Sequence, residues 1–282
     1  MIHLDRICCF LLLAAWPATA ADGSFVVLNR SAKNSLVRVS SDGHLISIIG
    51  AKAGGYGLTK DRAGNYIIAA VSSLLRVTPS GSVSTIATAP RHSQWMRVVQ
   101  DPEGVFVVVD NQQHAIWRIS EDGQSVAKLA NYAEASPIME DVSILLDESG
   151  NYLVIEELLG THLWRVTPGG EVTPVPLRGL NIATGGVIID ESDGNYLIGS
   201  YRDHAVFRLS RAGEVTKFSE LELDKTALTG MARNPETGEI VATLNFAQSL
   251  MRISADGRTV SRLAKDPSYL SYPTAIIYES GN

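Results

Sequence analysis

Ile116-Trp117-Arg118-Ile119-Ser120-Glu121-Asp122-Gly123 is the stretch that decides the fold, because its pattern recurs: apolar, any residue, Arg, apolar, Ser or Thr, two variable residues, Gly. The other copies run Leu36–Gly43, Leu74–Gly81, Leu163–Gly170, Val206–Gly213 and Leu250–Gly257. Their arginines, Arg38, Arg76, Arg118, Arg165, Arg208 and Arg252, stand 38, 42, 47, 43 and 44 residues apart. Near-constant spacing of this kind marks a repeated supersecondary unit that must stack on its neighbours to bury its apolar face.

A second phrase alternates with the first: Asp61 to Tyr66, Asp101 to Gly104, Asp147 to Tyr152, Asp190 to Tyr196, and Asn234 to Gly238. Each separates two short apolar runs, and an Asp- or Asn-rich loop with a glycine able to reach positive φ is hairpin chemistry. Every repeat therefore reads as four short strands; in the fifth they are Gly186–Ile189, Tyr196–Gly199, Ala205–Leu209 and Glu214–Phe218. Runs such as Val105 to Val109 are apolar on both faces, as expected of a sheet sandwiched between two others. The expected fold class is all-β, a six-bladed β-propeller of four-stranded antiparallel blades.

The ends fit a closed ring. Phe25 to Leu28 matches a second strand, and Thr274 to Tyr278 matches a first strand. The C-terminal strand is expected to join three N-terminal strands in one blade, which covers both edges. Residues 1–20 stand apart: Arg6, an apolar stretch from Ile7 to Trp16 and Ala18-Thr19-Ala20 read as a secretory signal peptide. The mature domain, 21–282, is then secreted or periplasmic, with no membrane span. Both cysteines, Cys8 and Cys9, lie in the leader. A net charge of −6 without a basic cluster argues against nucleic acid as a partner. A monomer that binds a small molecule or a protein at the mouth of its channel is the expectation.

The phrase Val107-Val108-Val109-Asp110-Asn111-Gln112-Gln113-His114-Ala115-Ile116-Trp117-Arg118 resembles an NHL repeat. The layout is similar to the propellers of the senescence-marker and gluconolactonase class. The segments Arg165 to Thr173 and Arg208 to Thr216 resemble repeats of the streptogramin lyases, which have seven blades. The lactonase resemblance implies a metal over the channel, held by Glu, Asn and Asp at the openings of innermost strands. Of the matching positions here, only Glu140 and Asp141 are acidic, and no Pro-Asn-Gly or Pro-Asp-Gly is present.

Several residues are candidates for function. Asn29, Asp110, Glu156 and Ser200 end second strands, with Asn245 just after a fifth; oxygen ligands converging on one mouth would suit a hard cation such as calcium. The alternative is that these side chains bond local backbone amides. The segment from Asn131 to Asp141 carries Glu134, Glu140 and Asp141. With Arg97 on the neighbouring innermost strand, Asp141 and Glu140 could form a catalytic group with a raised carboxyl pKa, or Arg97 could pair with Asp141. His92, in an interblade link, is a further ligand candidate. His114, His162 and His204 precede third strands and read as turn residues rather than zinc ligands. The six arginines are expected to pair with the hairpin acids Asp61, Asp101, Asp147 and Asp190, away from the ligand face.

Overall fold

Positive φ at the hairpin glycines, for instance +84° at Gly64 and +78° at Gly194, lets each strand reverse tightly, and the alternation of such turns produces six sheets. The computed structural model describes residues 23–31, 35–50, 53–133, 141–157, 160–179, 181–182, 185–191, 193–200, 202–221 and 227–281. Residues 1–20, read above as a signal peptide, and Glu134 and Glu140 lie outside the described residues.

Blade one contains β1 (Ser24–Asn29), β2 (Leu36–Ser40) and β3 (Leu45–Gly50). Blade two follows with β4 (Gly57–Lys60), β5 (Tyr66–Ala69), β6 (Ser73–Val77) and β7 (Val83–Thr88). Blade three holds β8 (Trp95–Gln100), β9 (Phe106–Asp110), β10 (Ala115–Ile119) and β11 (Val126–Asn131). Blade four is β12 (Val142–Leu146), β13 (Tyr152–Glu157), β14 (Thr161–Val166) and the short β15 (Val172–Pro174). Next, β16 (Arg178–Gly179) adds in parallel to the outer edge of blade five, which comprises β17 (Gly185–Asp190), β18 (Tyr196–Ser200), β19 (Ala205–Leu209) and β20 (Glu214–Glu220). Blade six is β21 (Leu228–Arg233), β22 (Ile240–Leu244), β23 (Ser249–Ile253) and β24 (Val260–Lys265).

The ring closes as the sequence implies. The last strand, β25 (Pro273–Glu279), pairs antiparallel with β1 and becomes the innermost strand of blade one. No helix long and apolar enough to cross a membrane occurs among the described residues. The apolar core is divided into six clusters, each between two consecutive blades. Between blades three and four, for example, Val107, Val109 and Ile116 pack on Val142, Ile144 and Val154. The large residues preceding the arginines serve this packing: Trp117 sits in the cluster of blades two and three, Met251 in that of blades five and six.

The lower face carries the hairpin loops and a repeated ion pair. Arg76 meets Asp61 at 3.1 Å, Arg118 meets Asp101 at 3.4 Å and Arg165 meets Asp147 at 3.5 Å. In blade five the expectation needs correction. Arg208 pairs with Glu191 at 2.6 Å, not with Asp190, because Glu191 is the residue whose amide and carbonyl close the hairpin on Asn195 and Gly194. Blade one uses Glu279 of β25, 2.6 Å from Arg38. Blade six has Asn234 at this position, and Arg252 donates to the Ser41 carbonyl instead.

Two hairpin tyrosines extend such pairs across a blade boundary. Tyr66 receives a bond from Arg38 at 2.8 Å and donates to Glu279 at 3.1 Å; Tyr152 donates to Asp101 at 3.2 Å. Burial, reinforced by Glu279 and Asp101, pushes both phenols up to about 12. Each tyrosine thus stays a donor and links its blade to the preceding one.

Candidate functional site

The upper face is built from the turns joining second to third strands and from the links between blades. At its centre is Arg97, the third residue of β8. Its Nε donates to the Val142 carbonyl at 3.0 Å, Nη1 to those of Thr274 at 3.0 Å and Tyr56, and Nη2 to that of Thr229 at 3.0 Å. Those four carbonyls stand at or beside the openings of β12, β25, β4 and β21, so one guanidinium is held by four other blades. Burial lowers its pKa, and the negative charge of Asp141 opposes that shift.

Glycine makes the approach possible. A Cβ on Gly57 would lie 2.6 Å from the Arg97 Cα, and one on Gly186 would lie 3.0 Å from the Asp141 Cβ. Thus Gly186 of blade five admits Asp141, and all six blades contribute to this centre. Asp141 acts on Arg97 through its charge, but the guanidinium N–H groups are directed at carbonyls.

The oxygen-bearing candidates are committed to the walls of the mouth. The carboxylate of Asp110 is buried: Oδ1 accepts from the amides of Gln94, Gln112 and Gln113 at 2.9, 3.0 and 3.1 Å, and Oδ2 from the Trp117 indole at 3.0 Å. Asn29 donates to the Tyr269 carbonyl at 2.8 Å and accepts from the Ser271 amide at 3.1 Å. Asn245 donates to the Pro273 carbonyl at 3.0 Å. Each ties a turn to an interblade link. Ser200 donates to Asp203 at 2.6 Å. His92 is exposed in its link, its carbonyl accepting from Gln113 at 3.2 Å. No group of three or more His, Cys, Asp or Glu side chains placed to hold a metal occurs among the described residues.

Glu156 has another environment. It is fully buried between blades three and four, with Oε1 2.6 Å from His114 Nδ1 and accepting from the Tyr132 hydroxyl at 3.1 Å. Burial pushes its carboxyl up to about 7, against the Tyr132 hydroxyl and His162. His162, directly opposite it on β14, stacks on Trp164 at 5.6 Å, and Tyr132 covers Trp164 at 5.2 Å. His114 and His204 owe their positions to backbone shape: φ is +45° and +46°, a region that histidine tolerates better than most residues.

Sequence reasoning missed four residues. Phe246 and Tyr272 are 65% and 44% exposed, with ring centroids 6.4 Å apart. Tyr272 has φ +55°, and its carbonyl accepts from the Arg30 amide at 2.9 Å. The exposed Arg30 guanidinium lies over the Tyr56 ring at 5.4 Å. A large aromatic residue in the turn Asn245 to Gln248 was the available signal. Clefts lie elsewhere: about 300 Å³ beside Thr161, His162 and Trp164 at the edge of blade four, and, on the lower face, about 250 Å³ beside Asp147, Arg165 and Tyr196 and about 390 Å³ beside Asp61, Arg76 and Glu121.

No family model and no curated protein matches the chain. Solved structures do. Virginiamycin B lyase from Staphylococcus aureus is 15% identical, with a TM-score of 0.63, over 92% of this chain and 89% of that one. A chain of a nidogen–laminin complex is 12% identical, with a TM-score of 0.70, over 91% and 98%. A gluconolactonase-like protein is 17% identical, with a TM-score of 0.58, over 74% and 76%. At such identities the likeness concerns the fold alone, and the chain is a six-bladed β-propeller.

Proposed function

We propose that this chain is an exported binding module that takes a small molecule or a protein on its upper face, without catalysing a reaction. The carrying observation is the state of the channel mouth: Arg97 fills the centre with a fixed positive charge bonded to four blades. Asp110, Asn29 and Asn245 are spent on the backbone of the surrounding loops. The upper face is thereby a stiff rim around a closed centre, which suits recognition at low entropic cost.

Thermal melts of protein beginning at Ala21 test this reading. A ligand that binds only the folded state at about 100 times its Kd adds about 2.7 kcal/mol. Hits from a small-molecule screen are expected to protect amides of residues 29–31 and 269–272 from hydrogen exchange, and protection confined to the lower hairpins would contradict the proposal.

A second reading is a metal-assisted lactonase-like hydrolase or lyase using Asp141, Glu140 and Glu156, favoured by the raised carboxyl of Glu156. Chelator-stripped protein titrated with calcium, magnesium, manganese and zinc separates the two. A stabilisation abolished by Asp141→Ala would favour the enzyme.

A further inference from the structure

We propose that Phe246, Tyr272, Tyr56 and Arg30 form a platform for a flat aromatic carboxylate, an inference that rests on the upper-face reading above. The four side chains come from neighbouring loops of blades six, one and two and are coupled: Phe246 to Tyr272 edge to face, Tyr272 to Arg30 through a backbone hydrogen bond, Arg30 to Tyr56 by cation–π contact.

Two large aromatic side chains this exposed forgo the burial that places such rings in cores. Tyr272 also holds a left-handed backbone conformation that bulky residues rarely adopt, and such local strain clusters at binding sites. The segment below is stiffened from both sides, Asn29 holding Tyr269 and Ser271 and Asn245 holding Pro273. The rim is therefore built rather than loose.

Charge selects the second half of the ligand. Overall the chain carries −6, yet the segments joining β1 to β2, β3 to β4 and β7 to β8 contain Arg30, Lys33, Lys52 and Arg91 and no carboxylate. The segment joining β11 to β12 carries the opposite sign, with Glu134, Glu140 and Asp141. Among the described residues no carboxylate forms an ion pair with Arg30. Its Cζ lies 5.4 Å from the centre of the Tyr56 ring, and a guanidinium can grip a carboxylate with two parallel bonds. The exposed edge-to-face pair of Phe246 and Tyr272 supplies the apolar half of the platform.

Calorimetric titration of the chain from Ala21 with 2-naphthoate, 2-naphthamide and acetate tests the assignment. The expected result is naphthoate binding about tenfold or more tighter than the amide, with no measurable binding of acetate. Arg30→Met and Phe246→Ser should each weaken naphthoate by about tenfold or more, and Arg91→Met should leave it unchanged. Both test positions are exposed, and circular dichroism melts verify that the variants fold. Absence of naphthoate binding at millimolar concentration, or equal affinity for the amide, overturns the proposal. Binding that survives both substitutions also overturns it; if exchange protection then still maps to the upper face, the broader binding-module reading stands while the platform falls.

Discussion

The Arg97 guanidinium reaches the Val142 carbonyl 3.0 Å away, across the boundary between blades three and four, and the same planar group reaches three further blades. A ring whose innermost strands diverge from a common axis has few groups that can touch more than one neighbour. Arginine suits that place because its donors lie in one plane and point in several directions.

Arg97→Met should therefore destabilise the fold by about 2–4 kcal/mol, since carbonyls that accepted charged donors lose them. Arg97→Lys, with its charge concentrated at one point, should restore less than half of that loss. Urea unfolding measures both, and a loss below about 0.5 kcal/mol for the Met variant would show that water replaces the guanidinium without cost.

On the lower face, Tyr152 and Arg118 share Asp101 from opposite sides of a blade boundary. Tyr152→Phe should cost about 1 kcal/mol and Arg118→Met about 1–2 kcal/mol. Their double-mutant cycle should give a coupling of at least about 0.5 kcal/mol, and strict additivity would mean the two bonds act independently.

Glu156 gives a pH dependence whose sign is fixed by its burial. Its carboxyl is raised from 4.5 to about 7, so the folded state holds a proton that the unfolded chain releases. The associated stability is complete below the unfolded value and is lost as pH rises through the folded one. The thermal midpoint should fall between about pH 5 and pH 8 in the wild type, and Glu156→Gln should flatten that slope. Superimposable profiles would show that Glu156 contributes no proton-linked stability in this range.

Removing residues 274–282 deletes most of β25 together with Glu279, which serves Arg38, Lys60 and Tyr66 at once. The expected product is aggregated, because the edge of β1 and the apolar cluster between blades six and one become exposed. A soluble truncation that unfolds cooperatively would show that the ring tolerates an open blade.

The repeat, the blade count and the closure by β25 were legible because they depend on local patterns that recur at fixed spacing. The ladder acid of blade five was misplaced by one residue because Asp190 and Glu191 are adjacent acids and only the hairpin register distinguishes them. The destination of Asp110 could be narrowed to two roles, and its bonds with the Gln94, Gln112 and Gln113 amides match the turn role. What Arg97 touches was not legible at all. Its partners are backbone carbonyls, which every residue possesses, and four strands distant in sequence bring them together. Phe246 and Tyr272 escaped because exposure, unlike hydrophobicity, is a property of the assembled ring.

Arg38 and Glu279 are 241 residues apart in the chain. During synthesis, β1 must wait for almost the entire polypeptide before its partner β25 exists. A ring joined by so distant a pairing has a late, entropically expensive closing step, and its early intermediates carry one unsatisfied strand edge throughout. The kinetics of folding should thus be governed by the slow arrival of one strand, and a chaperone that shields β1 would act on this protein at a single, identifiable place.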